Sequence, residues 1–362
     1  LVVSMKTDEV FKNHKTTTLR ADIKKAGARI VDVSQNLRFS FSDARNLYSI
    51  LRREKPDIVH TFLPYAGTIG RVVARLARVP RVVSTQGNIR VAYDFRGYWM
   101  DRITLPLAHV WTAAAESIEL EYGGSVESFS EKLWRGGRRH FTIPAGVDCE
   151  TIQNAISSVD RTKKRVELGI RENDVMILMT ARLVSWKGHD ELIDAAALLP
   201  ERVHVCFAGW GERMEGLRKR ARGLGIESRI HFLGARDDVY ELLGASDIYA
   251  QVFSRTREGR MWMGPNTALM EGAAAGVPIV ATHVPLIERL IEDGVSGKLA
   301  NVNDPQSLAA GISWIIEHPS AAKEMARKAK ELVRQRYSLS AMRRAYADLY
   351  TALFSGHSAT IT

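Results

Sequence analysis

Residues 254–282 read SRTREGRMWMGPNTALMEGAAAGVPIVAT. A polar loop opens a run of small and apolar residues of helical length, Gly276-Val277-Pro278 stops that run, and an apolar strand pattern follows. A helix, a glycine stop and a buried strand form the repeating unit of a parallel α/β sheet. The loop also carries chemistry. Met263-Gly264-Pro265-Asn266-Thr267 offers backbone N–H groups at a helix start, where about half a positive charge suits a diphosphate. Glu271 follows Thr267 by about one helical turn, so its carboxylate can point back toward whatever the helix start holds and grip sugar hydroxyls. Taken alone, the segment reads equally well as an ordinary helix whose alanines pack closely on a sheet.

Outward from this stretch, short apolar runs alternate with helical patterns, and the alternation occurs twice. The pattern predicts strands over 1–4, 28–33, 58–61, 82–85, 110–113 and 140–143, with helices over 17–26, 44–54 and 68–77. Pro144-Ala145-Gly146-Val147-Asp148 interrupts it, a polar segment follows to about residue 173, and strands recur near 175–181, 203–208, 230–233, 248–251, 278–281 and 298–300. The expected architecture is two facing doubly wound α/β domains, residues 1–160 and 173–337, joined by a linker over 161–172. A last helix near 340–353 is expected to bring residues 338–362 back onto the first domain.

Composition agrees with a folded chain. Of 362 residues 45% are apolar and 25% charged, and no run approaches the roughly 20 apolar residues that span a bilayer. Cys149 and Cys206 alone make neither a disulfide framework nor a metal knuckle, which favours a reducing, cytoplasmic setting. The net charge of +10 is spread over the chain, six excess cations before residue 161 and four after, so neither half is a basic tail. Arg135-Gly136-Gly137-Arg138-Arg139-His140 and the spaced Arg90, Arg96 and Arg102 could face anionic lipid or a phosphorylated acceptor, as a peripheral protein at the inner face of the plasma membrane would need. Nucleic acid is not expected, because the cations are not interleaved with stacking aromatics.

Four segments of the second half fall at predicted strand ends, where doubly wound sheets bind ligands. Arg182 can fork onto phosphate oxygens and Lys187 can add a point charge. Gly209-Trp210-Gly211 lets backbone approach a ligand, Phe232-Leu233-Gly234 can set backbone groups against a planar base, and Ser254 opens the fourth segment.

These residues resemble the family-4 retaining glycosyltransferases. The resemblance lies in Arg182 with Lys187-Gly188, Gly209-Trp210-Gly211, Phe232-Leu233-Gly234, Ala245-Ser246-Asp247, Ser254, Glu258-Gly259, Glu271 with Ala273 to Thr282, Glu288, and Asp293-Gly294-Val295-Ser296-Gly297. It is specific over about residues 173–310 and looser through Pro56 to Thr61 and Ile143 to Asp148. It implies the glycosyltransferase B fold and transfer of a sugar, with its configuration retained, from a nucleotide-diphosphate-sugar to a glycan or lipid-linked acceptor in cell-surface polysaccharide or glycolipid synthesis. Arg182 and Lys187 would bind the diphosphate and Glu271 the ribose. Gly209, Gly211, Gly234, Ser254, Gly264, Pro265, Asn266 and Thr267 would complete the donor site. No protein nucleophile, cofactor or metal is expected.

The sequence departs from the family pattern at three places. A partner acid for Glu271 belongs at position 263, which is Met; Glu258 lies five residues earlier. Either residues 260–264 loop out so that Glu258 still reaches the sugar, or that carboxylate is absent, and the loop is the favoured reading. Where many relatives carry a histidine after the strand at 82–85, this chain reads Gln86-Gly87-Asn88-Ile89-Arg90, leaving Gln86, Arg90 and the neighbouring His60 as acceptor-side candidates, His60 more simply as a histidine satisfied at a strand end. The chain opens at the family's second strand, so the first domain is expected to lack its first strand and helix, as a truncated sequence would. A sugar-nucleotide epimerase of the same architecture and a non-catalytic sugar-nucleotide-binding protein remain the alternatives.

Overall fold

The computed structural model describes residues 2–4, 15–33, 41–62, 64–87, 95–255 and 266–355. By internal contacts the chain divides into residues 1–142 with 351–362, and residues 143–350. Every ladder among the described residues is parallel. In the first unit β1 (Val2–Ser4) pairs with β2 (Ile30–Asp32), and β3 (Ile58–Phe62), β4 (Arg81–Gln86), β5 (Val110–Ala113) and β6 (His140–Thr142) form a second sheet in that order. Among the described residues no ladder joins the two pieces. The helix Phe41–Glu54 brings Leu47 with Ile50 and Leu51, three and four residues on, and the helix Pro64–Leu76 brings Val73 and Ala74, onto Val82. One ion pair is wholly enclosed here: Arg71 Nη2 lies 2.6 Å from Asp101 Oδ1 on the helix Phe95–Thr104, and it also donates to Thr104 Oγ1 (2.7 Å) while Nη1 donates to Ser84 Oγ (2.7 Å). These bonds offset part of the cost of enclosing the two charges, while Arg71 Nε and Asp101 Oδ2 are buried without a partner among the described residues.

The second unit holds β7 (Val175–Thr180), β8 (Val203–Ala208), β9 (Ile230–Gly234), β10 (Ile248–Gln251), β11 (Ile279–Thr282) and β12 (Lys298–Ala300), in the order β12-β11-β10-β7-β8-β9. Both faces are covered, which is why its strands read as unbroken apolar runs. Met176 and Leu178 enter the core on one face, with Tyr249 and Ile279. Val175, Ile177 and Met179 enter the core on the other, with Val205 and Ile248. Register is fixed over six consecutive pairs between β7 and β8, from Val175 opposite Val203 to Thr180 opposite Ala208.

All twelve expected strands are present, with ends shifted by at most two residues. The unit boundary is the main revision. It falls between 142 and 143 rather than near 160, and residues 161–172, expected as a linker, carry the helix Arg161–Glu167. Asp160 caps that helix, accepting from Lys163 N–H at 2.9 Å. Its Arg165 is fully buried, donating to Ala245 O (3.1 Å), Asp247 Oδ2 (3.0 Å), Arg171 O (2.9 Å) and Asp174 O (2.6 Å). Charge made this segment look like solvent-exposed chain, whereas two acceptors distant in sequence, Ala245 O and Asp247 Oδ2, and two local ones enclose its arginine in the second unit. The last helix runs Leu339–Phe354, and the contact division assigns residues from Thr351 onward to the first unit.

Candidate functional site

Strand order in the second unit reverses between β7 and β10. Beyond the carboxyl ends at such a reversal, neighbouring loops diverge to opposite faces of the sheet and leave a crevice. Here the chain leaving β7 meets the chain leaving β10: Ser254 N–H donates to Trp186 O (3.0 Å), and Lys187 Nζ lies 4.3 Å from the centre of the Phe253 ring. The chain leaving β8 joins them, with Leu183 N–H donating to Trp210 O (3.0 Å), Arg213 N–H to Leu183 O (3.1 Å) and Gly209 N–H to Gly234 O (2.7 Å). The glycines have a steric cause. A Cβ on Gly209 would stand 1.9 Å from Ala181 O, and one on Gly211 2.3 Å from Leu183 O. The close approach that the sequence reserved for a ligand is, at these two positions, an approach of one strand-end loop to its neighbour.

Arg182 and Lys187 are the electrostatic feature of this crevice. The Arg182 guanidinium is exposed, 5.5 Å from the Trp186 ring centre, while Lys187 is half-buried. Burial, reinforced by the Arg182 charge, pushes the Lys187 ammonium down from 10.5 to about 8. Among the described residues neither cation is paired with a carboxylate. Two adjacent cations without an acid form a site that an anion would stabilise. His189, the first residue of the helix His189–Ala197, is kept neutral beside them, its imidazole pushed down to about 3 by burial and then by Lys187.

The helix Thr267–Ala275 begins at Asn266, whose Oδ1 accepts from Leu269 N–H (3.2 Å) while its carbonyl accepts from Met270 N–H (3.2 Å). This leaves the N–H groups of Thr267 and Ala268 without intrahelical acceptors, as at any helix start. Glu271 is half-buried one turn in and accepts from the Tyr240 hydroxyl at 3.2 Å. Burial and then Glu271 push the Tyr240 phenol up to about 12, so it stays a donor. Ser254 spends its hydroxyl on Glu191 Oε2 (2.7 Å), tying the β10 loop to the helix His189–Ala197. Among the described residues no three or more His, Cys, Asp or Glu side chains are grouped to hold a metal ion.

Comparison with known proteins decides what this crevice belongs to. The model of the glycosyl transferases group 1 matches residues 160–332, and that of glycosyltransferase family 4 matches residues 2–119. The chain belongs to the family-4 group 1 glycosyltransferases. It is 29% identical over 274 residues to the Escherichia coli UDP-Gal:alpha-D-GlcNAc-diphosphoundecaprenol alpha-1,3-galactosyltransferase, covering 72% of this chain and 67% of that one. It is 25% identical over 300 residues to the lipopolysaccharide core biosynthesis glycosyltransferase LpsE of Rhizobium meliloti, covering 82% and 76%. Anabaena HepE, crystallised with UDP, superposes with a TM-score of 0.75 at 22% identity over 92% of this chain and 89% of its own. Two parallel α/β units of this kind are the glycosyltransferase B fold.

In this glycosyltransferase backbone bonds join the loops of the second unit that carry Arg182, Lys187, Gly209, Gly211, Gly234 and Ser254, and Asn266, Thr267 and Glu271 lie at one helix start. Glu258, Gly264, Pro265 and Arg90 lie outside the described residues. In the first unit His60 is held in the sheet, its Nε2 2.7 Å from Thr85 Oγ1, which lies 2.7 Å from Thr112 Oγ1. Burial pushes its imidazole down to about 3, so it is neutral and hydrogen-bonded, as the simpler reading of a strand-end histidine has it. Gln86 is buried at the end of β4, with Nε2 3.5 Å from Ser84 Oγ. Sequence reasoning passed over Phe253, Tyr240 and Gln251. Gln251 ends β10 fully buried, its Oε1 accepting from Tyr249 OH (3.1 Å) and its Nε2 without a protein partner among the described residues. The signal was available, since a polar residue closing the apolar run IYAQ is a strand-end residue facing the switch point.

Proposed function

We propose that this glycosyltransferase moves a sugar from a nucleotide-diphosphate-sugar, with a uridine diphosphate as the expected carrier, to a glycan or lipid-linked acceptor at an anionic membrane surface, retaining the anomeric configuration. The supporting observation is the pair Arg182 and Lys187 at the sheet reversal, neither of them paired with a carboxylate among the described residues. In the proposed reaction the acceptor hydroxyl oxygen bonds to the anomeric carbon on the side from which the diphosphate departs. The bond from that carbon to the diphosphate oxygen breaks, and the departing oxygen takes the hydroxyl proton. Arg182, Lys187 and the Thr267 and Ala268 N–H groups would face the charge that grows on the leaving group, while Glu271 would hold the ribose. Preorganised donors of this kind supply much of an enzyme's rate enhancement.

The donor named for the Escherichia coli relative and the UDP in the HepE crystals support a uridine carrier. The diphosphoundecaprenol in the relative's name supports a lipid-linked acceptor. Among the described residues no helix is long and apolar enough to cross a membrane, so the proposed membrane location is peripheral. Metal independence is part of the proposal, because cationic side chains take the role a divalent ion would play. The test is a thermal-shift panel of nucleoside mono- and diphosphates and their sugars, with and without a chelator. At a hundredfold excess over Kd a bound ligand adds about 2.7 kcal/mol to the stability of the unit that holds it. The proposal expects stabilisation by UDP and a UDP-sugar but little by UMP, unchanged on chelation. No response to any diphosphate would overturn it.

A further inference from the structure

The helix Phe95–Thr104 is built inside out. Its one acidic residue, Asp101, is fully buried on Arg71, while Phe95, Trp99, Met100 and Ile103 are 76%, 47%, 50% and 72% exposed. At about 100° per residue these four and the exposed Arg96 share one arc of about 140°. The buried Gly97 and Asp101 lie on the opposite side. Arg71 holds that orientation with three bonds to the helix, to Asp101 O, Thr104 Oγ1 and, as the ion pair, Asp101 Oδ1, while a fourth anchors it to Ser84, so the apolar face cannot roll inward without breaking a buried charge pair.

The surroundings say what would cover this face. With Asp101 buried, the only charges the helix presents outward are cationic: Arg96 at the centre of the arc and Arg102 at its edge. Arg102 lies 5.3 Å from the centre of the Tyr122 ring and donates to Tyr122 O at 3.2 Å. Tyr98 stands edge-on to both Trp99 (5.6 Å) and Tyr122 (6.3 Å). Amphipathic aromatics with arginines beside them, next to exposed Phe and Ile, suit the headgroup layer of an anionic bilayer, where rings sit at the interface and guanidinium groups meet phosphates.

We infer that the helix Phe95–Thr104 is the element that docks this protein on an anionic membrane, with Phe95, Trp99 and Ile103 entering the interface and Arg96 pairing with lipid phosphate. The inference rests on the peripheral membrane location proposed above, and it is tested by binding alone, without donor or acceptor, so it and the transfer reaction can fail separately. The full chain is sedimented with phosphatidylcholine vesicles containing about one-third phosphatidylglycerol, and with phosphatidylcholine alone. The anionic vesicles should bind at least about tenfold more strongly. Trp99→Ser with Ile103→Ser should weaken that binding by about tenfold to a hundredfold, and Arg96→Gln by about fivefold. All of these side chains are exposed, so the variants should melt with the wild type in circular dichroism. Absence of binding to the anionic vesicles, or unchanged binding by the double variant, overturns the inference. So does a double variant that turns a dimer into a monomer in sedimentation velocity while vesicle binding is unaffected, because the face would then join two copies of this chain.

Discussion

Replacing Lys187 with methionine separates the cost of this lysine from its use. In the free protein, burial and Arg182 hold the ammonium down at about 8 rather than 10.5. At about 1.4 kcal/mol per pH unit, keeping the proton at neutral pH costs the second unit about 3 kcal/mol, of which attraction to the Phe253 ring returns about 1. Methionine fills similar volume and also packs well on an aromatic ring. Lys187→Met should therefore stabilise the ligand-free unit by about 1–2 kcal/mol at pH 7, or roughly 2–6 °C in Tm. The sign follows from the protons bound. Between about 8 and 10.5 the unfolded chain holds this proton while the folded chain does not, so wild-type stability rises with pH across that window. The advantage of the methionine variant should shrink over the same window. UDP should reverse the order, since losing a charge-assisted bond to phosphate costs about 1.5–3 kcal/mol, or more than tenfold in Kd. Melting curves at pH 7 and pH 9.5 with and without UDP check all of this. A variant that is less stable than wild type without ligand at pH 7, yet keeps the full UDP response, would refute the reasoning.

Three further perturbations have defined outcomes. Arg182→Ala removes an exposed guanidinium with no carboxylate partner among the described residues, so stability should hardly change while kcat falls by about 10²–10³ in a donor-turnover assay. Gly209→Ala drives a Cβ to 1.9 Å from Ala181 O, so the loops after β7 and β8 must separate; calorimetry should show destabilisation together with a weakened UDP response. Arg71→Met strands Asp101 in the first unit and should cost about 3–5 kcal/mol in urea unfolding, whereas replacing both partners with apolar residues should recover much of the loss.

The twelve strands were legible because a sheet covered on both faces writes itself as runs such as Val175-Met176-Ile177-Leu178-Met179, which need no partner to be recognised. Arg182 and Lys187 were legible for a related reason: strand ends in a doubly wound sheet face the ligand, and position along the strand is a local property. Features that depend on distant partners were hidden. Arg165 looks like a surface cation until acceptors as distant in sequence as Ala245 and Asp247 enclose it, so its helix read as a linker. Lys187 meets Phe253 only because β7 and β10 are neighbours, and Ser254 is bound to Glu191 from a helix that precedes it by 63 residues. Gly209 and Gly211 carried a recognisable motif, but the loop they press against lies on the adjacent strand. The helix Phe95–Thr104 escaped the hydrophobic pattern because that pattern is inverted, with the acid inside and the aromatics outside.

The central claim is retaining chemistry at a diphosphate held by Arg182 and Lys187. Proton NMR of the first sugar released when the full chain slowly hydrolyses an α-linked UDP-sugar tests it most directly, read at early times before the free sugar equilibrates. The account predicts the α anomer, at a rate that drops by about 10²–10³ in Arg182→Ala. Initial release of the β anomer, or release at the wild-type rate from that variant, would contradict it.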